Sequence, residues 1–155
     1  MAALELVEGT ARVALLHDVG GAIAALTWRG RDVLRPMPAE AIAAGNVRLA
    51  ACYPLVPYSN RIANAQLVFD GRTHALGRNF GDHPHSIHGV GWQRPWTVAA
   101  LEATSAHLVL EHNAVDEAAR AWPWPFRATE SIALRGDGTA ATLSVQAPDR
   151  APGRV

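Results

Sequence analysis

Two short stretches hold most of the side chains in this sequence that could do chemistry. The first, Pro54 to Ile62 (PLVPYSNRI), sets Asn60 beside Arg61, and the second, Asn79 to Trp92 (NFGDHPHSIHGVGW), carries His83, His85 and His88. Arg61 presents a planar, permanently charged fork of donors, and Asn60 carries a donor and an acceptor on one short amide. His88 can donate or accept a hydrogen bond near neutral pH, which is what binding or protonating a sugar oxygen requires. Pro and Gly interrupt both stretches and break helix and central strand alike. Polar groups gathered on irregular backbone are how sites are usually built.

Other readings of the same residues stay open on the sequence alone. Imidazole is a common metal ligand, and Asp82 adds a neighbouring carboxylate. On extended backbone, however, His83 and His85 share a face while His88 turns away unless the chain bends. No metal and no cofactor are therefore expected, and histidines that merely flank surface turns are a further reading. Trp92, Trp96, Trp122 and Trp124 could pack on the apolar side of a pyranose, although tryptophan in a β-sandwich is more often core. Cys52 is the single cysteine, so no intramolecular disulfide forms. It reads as a small packing residue, since no His or Asn lies near it in a pattern that marks an activated nucleophile.

The elements that must position these residues read as strands. Leu4–Val7, Val13–Leu16 and Ala22–Trp28 are short apolar runs punctuated by Gly9 and Gly20-Gly21, and Arg29–Asp32 turns into Val33-Leu34. Only Ala39–Ala44 has helical composition, for one or two turns. Gln66–Phe69 and Arg72–Leu76 flank Asp70-Gly71, a two-residue hairpin signal, and that hairpin would hold the two polar stretches near each other. Trp96–Leu101 and His107–His112 follow, then a polar stretch over Asn113–Arg120. From Phe126, apolar residues alternate with polar ones, interrupted by Glu130, and alternation resumes at Ala141, Leu143 and Val145. Period two with regularly spaced turns marks an all-β, antiparallel sandwich. The 155 residues suit one domain, with an irregular tail over 147–155. The 14 basic and 14 acidic side chains cancel, so nothing favours nucleic acid, an anionic membrane or a polyanion as partner. The N-terminus has no signal-peptide pattern and no apolar run is long enough to span a bilayer, so a cytoplasmic location is expected.

Pro54-Leu55-Val56-Pro57-Tyr58-Ser59-Asn60-Arg61-Ile62, Phe69-Asp70-Gly71, Asn79-Phe80-Gly81-Asp82 and His85-Ser86-Ile87-His88-Gly89 resemble the aldose 1-epimerase (galactose mutarotase) family, and Trp122–Phe126 is similar to a bacterial branch of it. The order of these pieces matches from about Leu4 to Val145. The resemblance implies an antiparallel β-sandwich whose open face binds a free aldose and interconverts its α and β anomers. It implies that Arg61 is the sugar-binding arginine, that His88 is the first active-site histidine, near the ring oxygen, and that Asn60 supports Arg61. Ala65 departs from a glycine frequent at that position. Members of the family are about twice as long, so the sequence corresponds to their N-terminal portion. Asp149–Pro152 resembles the start of a turn that leads to a second histidine, and the later acid-base pair has no counterpart. A non-catalytic carbohydrate-binding module is the alternative. Strands without their partners would leave open edges, and self-association through them is expected.

Overall fold

The computed structural model of the protein describes residues 2–136 and 138–148. The turn expected over Asp149–Pro152, and most of the tail expected over 147–155, lie outside them. In chain order the strands are β1 (Leu4–Glu8), β2 (Ala11–Leu16), β3 (Ala22–Trp28), β4 (Arg31–Leu34), β5 (Arg61–Ile62), β6 (Gln66–Phe69), β7 (Arg72–Ala75), β8 (Ser86–Ile87), β9 (Thr97–Leu101), β10 (Ser105–His112), β11 (Phe126–Arg135) and β12 (Gly138–Gln146). Two short helices, α1 (Ala39–Ala43) and α2 (Asp116–Ala121), complete the regular structure apart from three single 3-10 turns.

β1 to β4 form an antiparallel meander, and β12-β11-β10-β9 form a second four-stranded antiparallel sheet. The strand alternation seen in the sequence explains how they pack. In β11 the even-numbered residues from Phe126 to Leu134 are buried and the odd ones are not, because successive side chains leave opposite faces. Leu6, Val13, Leu15 and Ile23 of the first sheet meet Ala106, Ile132 and Leu134 of the second. Each such side chain contributes roughly 1.5–3 kcal/mol on burial, so this seam fixes the two sheets against each other. The polar stretches are anchored in the same interior. Val56, Val90 and Trp96 pack with Leu108, Leu110 and Ala128, and Trp92 packs with Leu16, Val19 and Ala22.

The row of buried residues in β11 includes one that breaks the pattern. Glu130 is 6% exposed, and its Oε2 has no hydrogen-bond partner among the described residues. Burial alone pushes its carboxyl from 4.5 up to about 8. The expected strands and hairpin all form, with ends within a few residues of those read from the sequence. The helix α2 was not anticipated, because Asn113–Arg120 reads only as polar.

Candidate functional site

The two polar stretches meet in a two-stranded ladder. β5 and β8 pair antiparallel, Arg61 opposite Ile87 and Ile62 opposite Ser86. Before the ladder, Val56 bridges Gly89, and the Val56 carbonyl accepts from the amides of Val90 (2.8 Å) and Gly91 (3.0 Å). Gly89 is required for that approach. Its φ is +66°, and a Cβ there would lie 2.1 Å from the Val56 carbonyl oxygen. The Asp70-Gly71 hairpin sits where the sequence placed it, with both turn residues at positive φ (51° and 70°), and β6 and β7 pair through it. Leu76 donates to the Ala65 carbonyl at 2.8 Å and closes the excursion between the two stretches.

Three side chains clamp the segment 86–89. The Asn79 amide nitrogen donates to the carbonyls of Ile87 (2.7 Å) and Gly89 (2.9 Å), and its Oδ1 accepts from the Ile87 amide (2.8 Å). The Trp92 indole donates to the same two carbonyls at 3.3 and 3.2 Å. Ser86, 1% exposed, shares a 2.7 Å hydrogen bond with the Tyr58 hydroxyl. These contacts carry polar groups into the interior with their partners supplied, so His88 is mounted on backbone that has little freedom.

Asn60 and His88 then bind each other. The His88 amide donates to the Asn60 carbonyl (2.8 Å), and the Asn60 amide donates to His88 Nδ1 (3.0 Å). Both residues sit in the left-handed region, φ 64° and 61°. For residues other than glycine that costs about 1 kcal/mol or more each, and such strain tends to gather at functional positions. Arg61 is exposed, and its Nε donates to Asn60 Oδ1 at 3.4 Å. The structure therefore brings Asn60, Arg61 and His88 together. The side chains of Asn60 and Arg61 are joined only by this long hydrogen bond.

The hydrogen bonds fix the histidine chemistry. A backbone N–H occupies Nδ1 of His88, so in the neutral ring the proton resides on Nε2. His85 Nδ1 likewise accepts from the Asn64 amide (3.0 Å), and His83 Nδ1 from the His85 amide (3.4 Å). Partial burial, and secondly the Arg61 charge, hold His88 below the ordinary imidazole range. His83 is also held low, by shielding from water and then by His85 and Arg61. The result is a row of imidazoles whose Nδ1 atoms accept from backbone amides, leaving the Nε2 edges beside one guanidinium. Such a surface donates hydrogen bonds and suits an oxygen-rich, acceptor-bearing ligand. Among the described residues no cluster of three or more His, Cys, Asp or Glu is arranged to hold a metal.

The remaining candidates fall outside this group. Trp92 and Trp96 are 4% and 2% exposed and belong to the core, while Trp122 and Trp124 pack edge-to-face on each other, centroids 5.3 Å apart. Cys52 is half-buried, and burial followed by the Glu130 charge pushes its thiol up, which favours the packing reading over a nucleophile. Glu130 Oε2 lies beside Gly21, where a Cβ would be 3.0 Å from it and close to Pro54 and Trp96 as well. Sequence reasoning quoted Asn79 only as part of longer stretches and named Trp92 only as a possible sugar platform or core residue. Their clamping role was signalled at most by an amide and an indole placed within glycine-rich irregular backbone.

A family model described as aldose 1-epimerase matches residues 3–152. The chain belongs to the aldose 1-epimerase family. Protein YphB of Escherichia coli K12, uncharacterised, is 33% identical over 131 residues, covering 84% of this chain and 41% of YphB. A crystal structure from the same organism, described provisionally as an aldose 1-epimerase, superposes with a TM-score of 0.81 at 27% identity, over 94% of this chain and 46% of that one. The GalM/aldose epimerase homologue of Caenorhabditis elegans shares the fold, with a TM-score of 0.72 at 18% identity over 94% of this chain and 46% of that one. The galactose mutarotase-like antiparallel fold inferred from the motifs is therefore the observed one. This family member spans less than half the length of these relatives. Among the described residues no helix is long and apolar enough to cross a membrane.

Proposed function

We propose that Asn60, Arg61 and His88 grip a free aldose in its pyranose form, as the sugar-binding part of an aldose 1-epimerase-like site. The observation that carries this reading is the meeting of a guanidinium and an Nε2-protonated imidazole on one strained, clamped ladder. A pyranose offers a ring oxygen and several hydroxyl oxygens as acceptors, and this cluster is built of donors.

Anomer interconversion asks for more than binding. A base must take the proton of the anomeric hydroxyl while an acid protonates the ring oxygen; the ring then opens, the aldehyde rotates, and the ring recloses. His88, uncharged near neutral pH, can hydrogen-bond the ring oxygen but carries no surplus proton to give it. No carboxylate hydrogen-bonds to the cluster among the described residues, so the base has no candidate there. The chain by itself thus binds sugar without speeding the interconversion appreciably, and the non-catalytic binding module remains the second reading. Polarimetry on freshly dissolved galactose and glucose tests this directly. The optical rotation should relax at the buffer rate, and a large acceleration by the purified chain would contradict the assignment.

A further inference from the structure

We propose that His85 is a second sugar contact, a specificity-determining residue that binds the hydroxyl on C3 of the pyranose; this rests on the reading of Asn60, Arg61 and His88 as the sugar grip. The short ladder of β5 and β8 is bracketed at its two ends by the same device. At one end the Asn60 amide donates to His88 Nδ1 at 3.0 Å, and at the other the Asn64 amide donates to His85 Nδ1 at 3.0 Å. Asn60 and Asn64 both sit in the left-handed region, φ 64° and 51°. Strain of this kind gathers at functional positions, and here it occurs twice, each time behind a histidine.

Both bonds leave the same edge of the ring free. An imidazole whose Nδ1 accepts from a backbone amide carries its proton, when neutral, on Nε2, so His85 offers a ligand the same donor that His88 does. His83 steadies it: the two rings meet edge to face with centroids 4.8 Å apart, and His83 Nδ1 accepts from the His85 amide at 3.4 Å. Ser86 and Ile87, the residues between His85 and His88, are 1% and 5% exposed. Successive strand residues leave opposite faces, so the ladder is covered on both and its imidazoles emerge at the ends. Arg61 is felt at both. Shielding from water and then the Arg61 charge hold His88 low, while shielding, His85 and then Arg61 hold His83 low. The guanidinium thus stands between His88 on one side and the His83–His85 pair on the other. Asp82 is exposed, and among the described residues no ion pair joins its carboxylate to these groups.

The spacing selects the hydroxyl. Three residues of chain put the Cα atoms of His85 and His88 no more than about 11 Å apart. Two imidazoles reaching inward across that span close on one hexose rather than two. With His88 at the ring oxygen, the atom directly across the ring is C3, and its hydroxyl oxygen is an acceptor at that edge. Glucose and galactose hold this hydroxyl in the same orientation and differ at C4, so His85 admits both and disfavours a sugar that lacks it.

Titration of the purified chain with methyl β-galactoside and with its 3-deoxy analogue, followed on the histidine side chains by 1H–15N NMR, tests the assignment. The Nε2 signals of His88 and His85 should both move with the parent sugar, and only that of His88 with the analogue. His85→Ala should weaken binding of the parent roughly three- to tenfold, the share of one hydrogen bond, and leave binding of the analogue unchanged. A merely structural role would weaken both sugars alike. A His85 signal indifferent to the parent while His88 responds, or equal losses for the two sugars in His85→Ala, would overturn this inference and leave the grip of Asn60, Arg61 and His88 standing. No response from either histidine would overturn both. The wild-type titration decides the matter even if His85→Ala fails to fold.

Discussion

The side chains proposed to bind sugar are held by residues whose own polar groups are spent on backbone. Asn79 spends its whole amide on the backbone of Ile87 and Gly89, and Gly89 exists to let that backbone pass the Val56 carbonyl. Gly89→Ala would combine a positive-φ penalty with a collision against backbone, which cannot move as a flexible side chain can. A loss of at least about 2 kcal/mol of stability is expected, read by denaturant unfolding, together with loss of sugar binding. The electrostatics of His88 can be checked separately. Its protonation is disfavoured by burial first and by Arg61 second, so its NMR titration midpoint should lie below the usual 6.5 and move part of the way back in Arg61→Gln. Because the folded-state pKa is lowered, the neutral form is fully populated above the ordinary value, and His88 opposes folding only as pH falls toward its folded pKa. An unshifted midpoint in Arg61→Gln would separate the two side chains electrostatically and weaken the case for a shared site.

At the level of elements, the legible and illegible parts of the sequence differ for physical reasons. Asp70-Gly71 announced the hairpin because few other dipeptides tolerate two positive φ angles, and β11 announced itself by period two. α2 gave no such signal. Its six residues, Asp-Glu-Ala-Ala-Arg-Ala, include none that is fully buried, so no apolar face repeats. The β5–β8 ladder is only two residues long, too short for any pattern, and the sequence reading had only the hairpin between the two stretches to say that they lie near each other. Asn79 was quoted as part of a motif, but its partners are backbone atoms eight and ten residues away, which no spacing rule reveals. Ala65 shows what its departure from glycine means locally. It is buried at 2% and adopts φ 56° directly after Asn64 at φ 51°, so a methyl group is held in a conformation glycine would enter freely.

For the whole molecule, one buried carboxyl shapes the pH response above neutrality. Glu130 has its folded pKa raised from 4.5 to about 8, so the folded state retains a proton that the unfolded chain has lost between those values. Stability from this group is complete below about pH 4.5 and falls as pH rises toward 8, by no more than about 1.4 kcal/mol per pH unit. Thermal melts from pH 7 to 9, above the range where the histidines of lowered pKa titrate, should therefore show the wild type losing stability while Glu130→Gln stays nearly flat. An equally flat wild type would place water or a partner group at Oε2. The same sandwich, with its seam of Leu6, Val13, Ile132 and Leu134, supports the ladder that carries Arg61 and leads into His88, the two side chains proposed to meet the sugar. The most direct test of that assignment is a long-range imidazole 1H–15N spectrum recorded while a non-reacting methyl galactoside is titrated in. His88 should appear as the Nε2–H tautomer and its Nε2 signal should move to saturation in the wild type, with no movement in Arg61→Ala. A His88 signal indifferent to the sugar, or equal binding by Arg61→Ala, would contradict the sugar site.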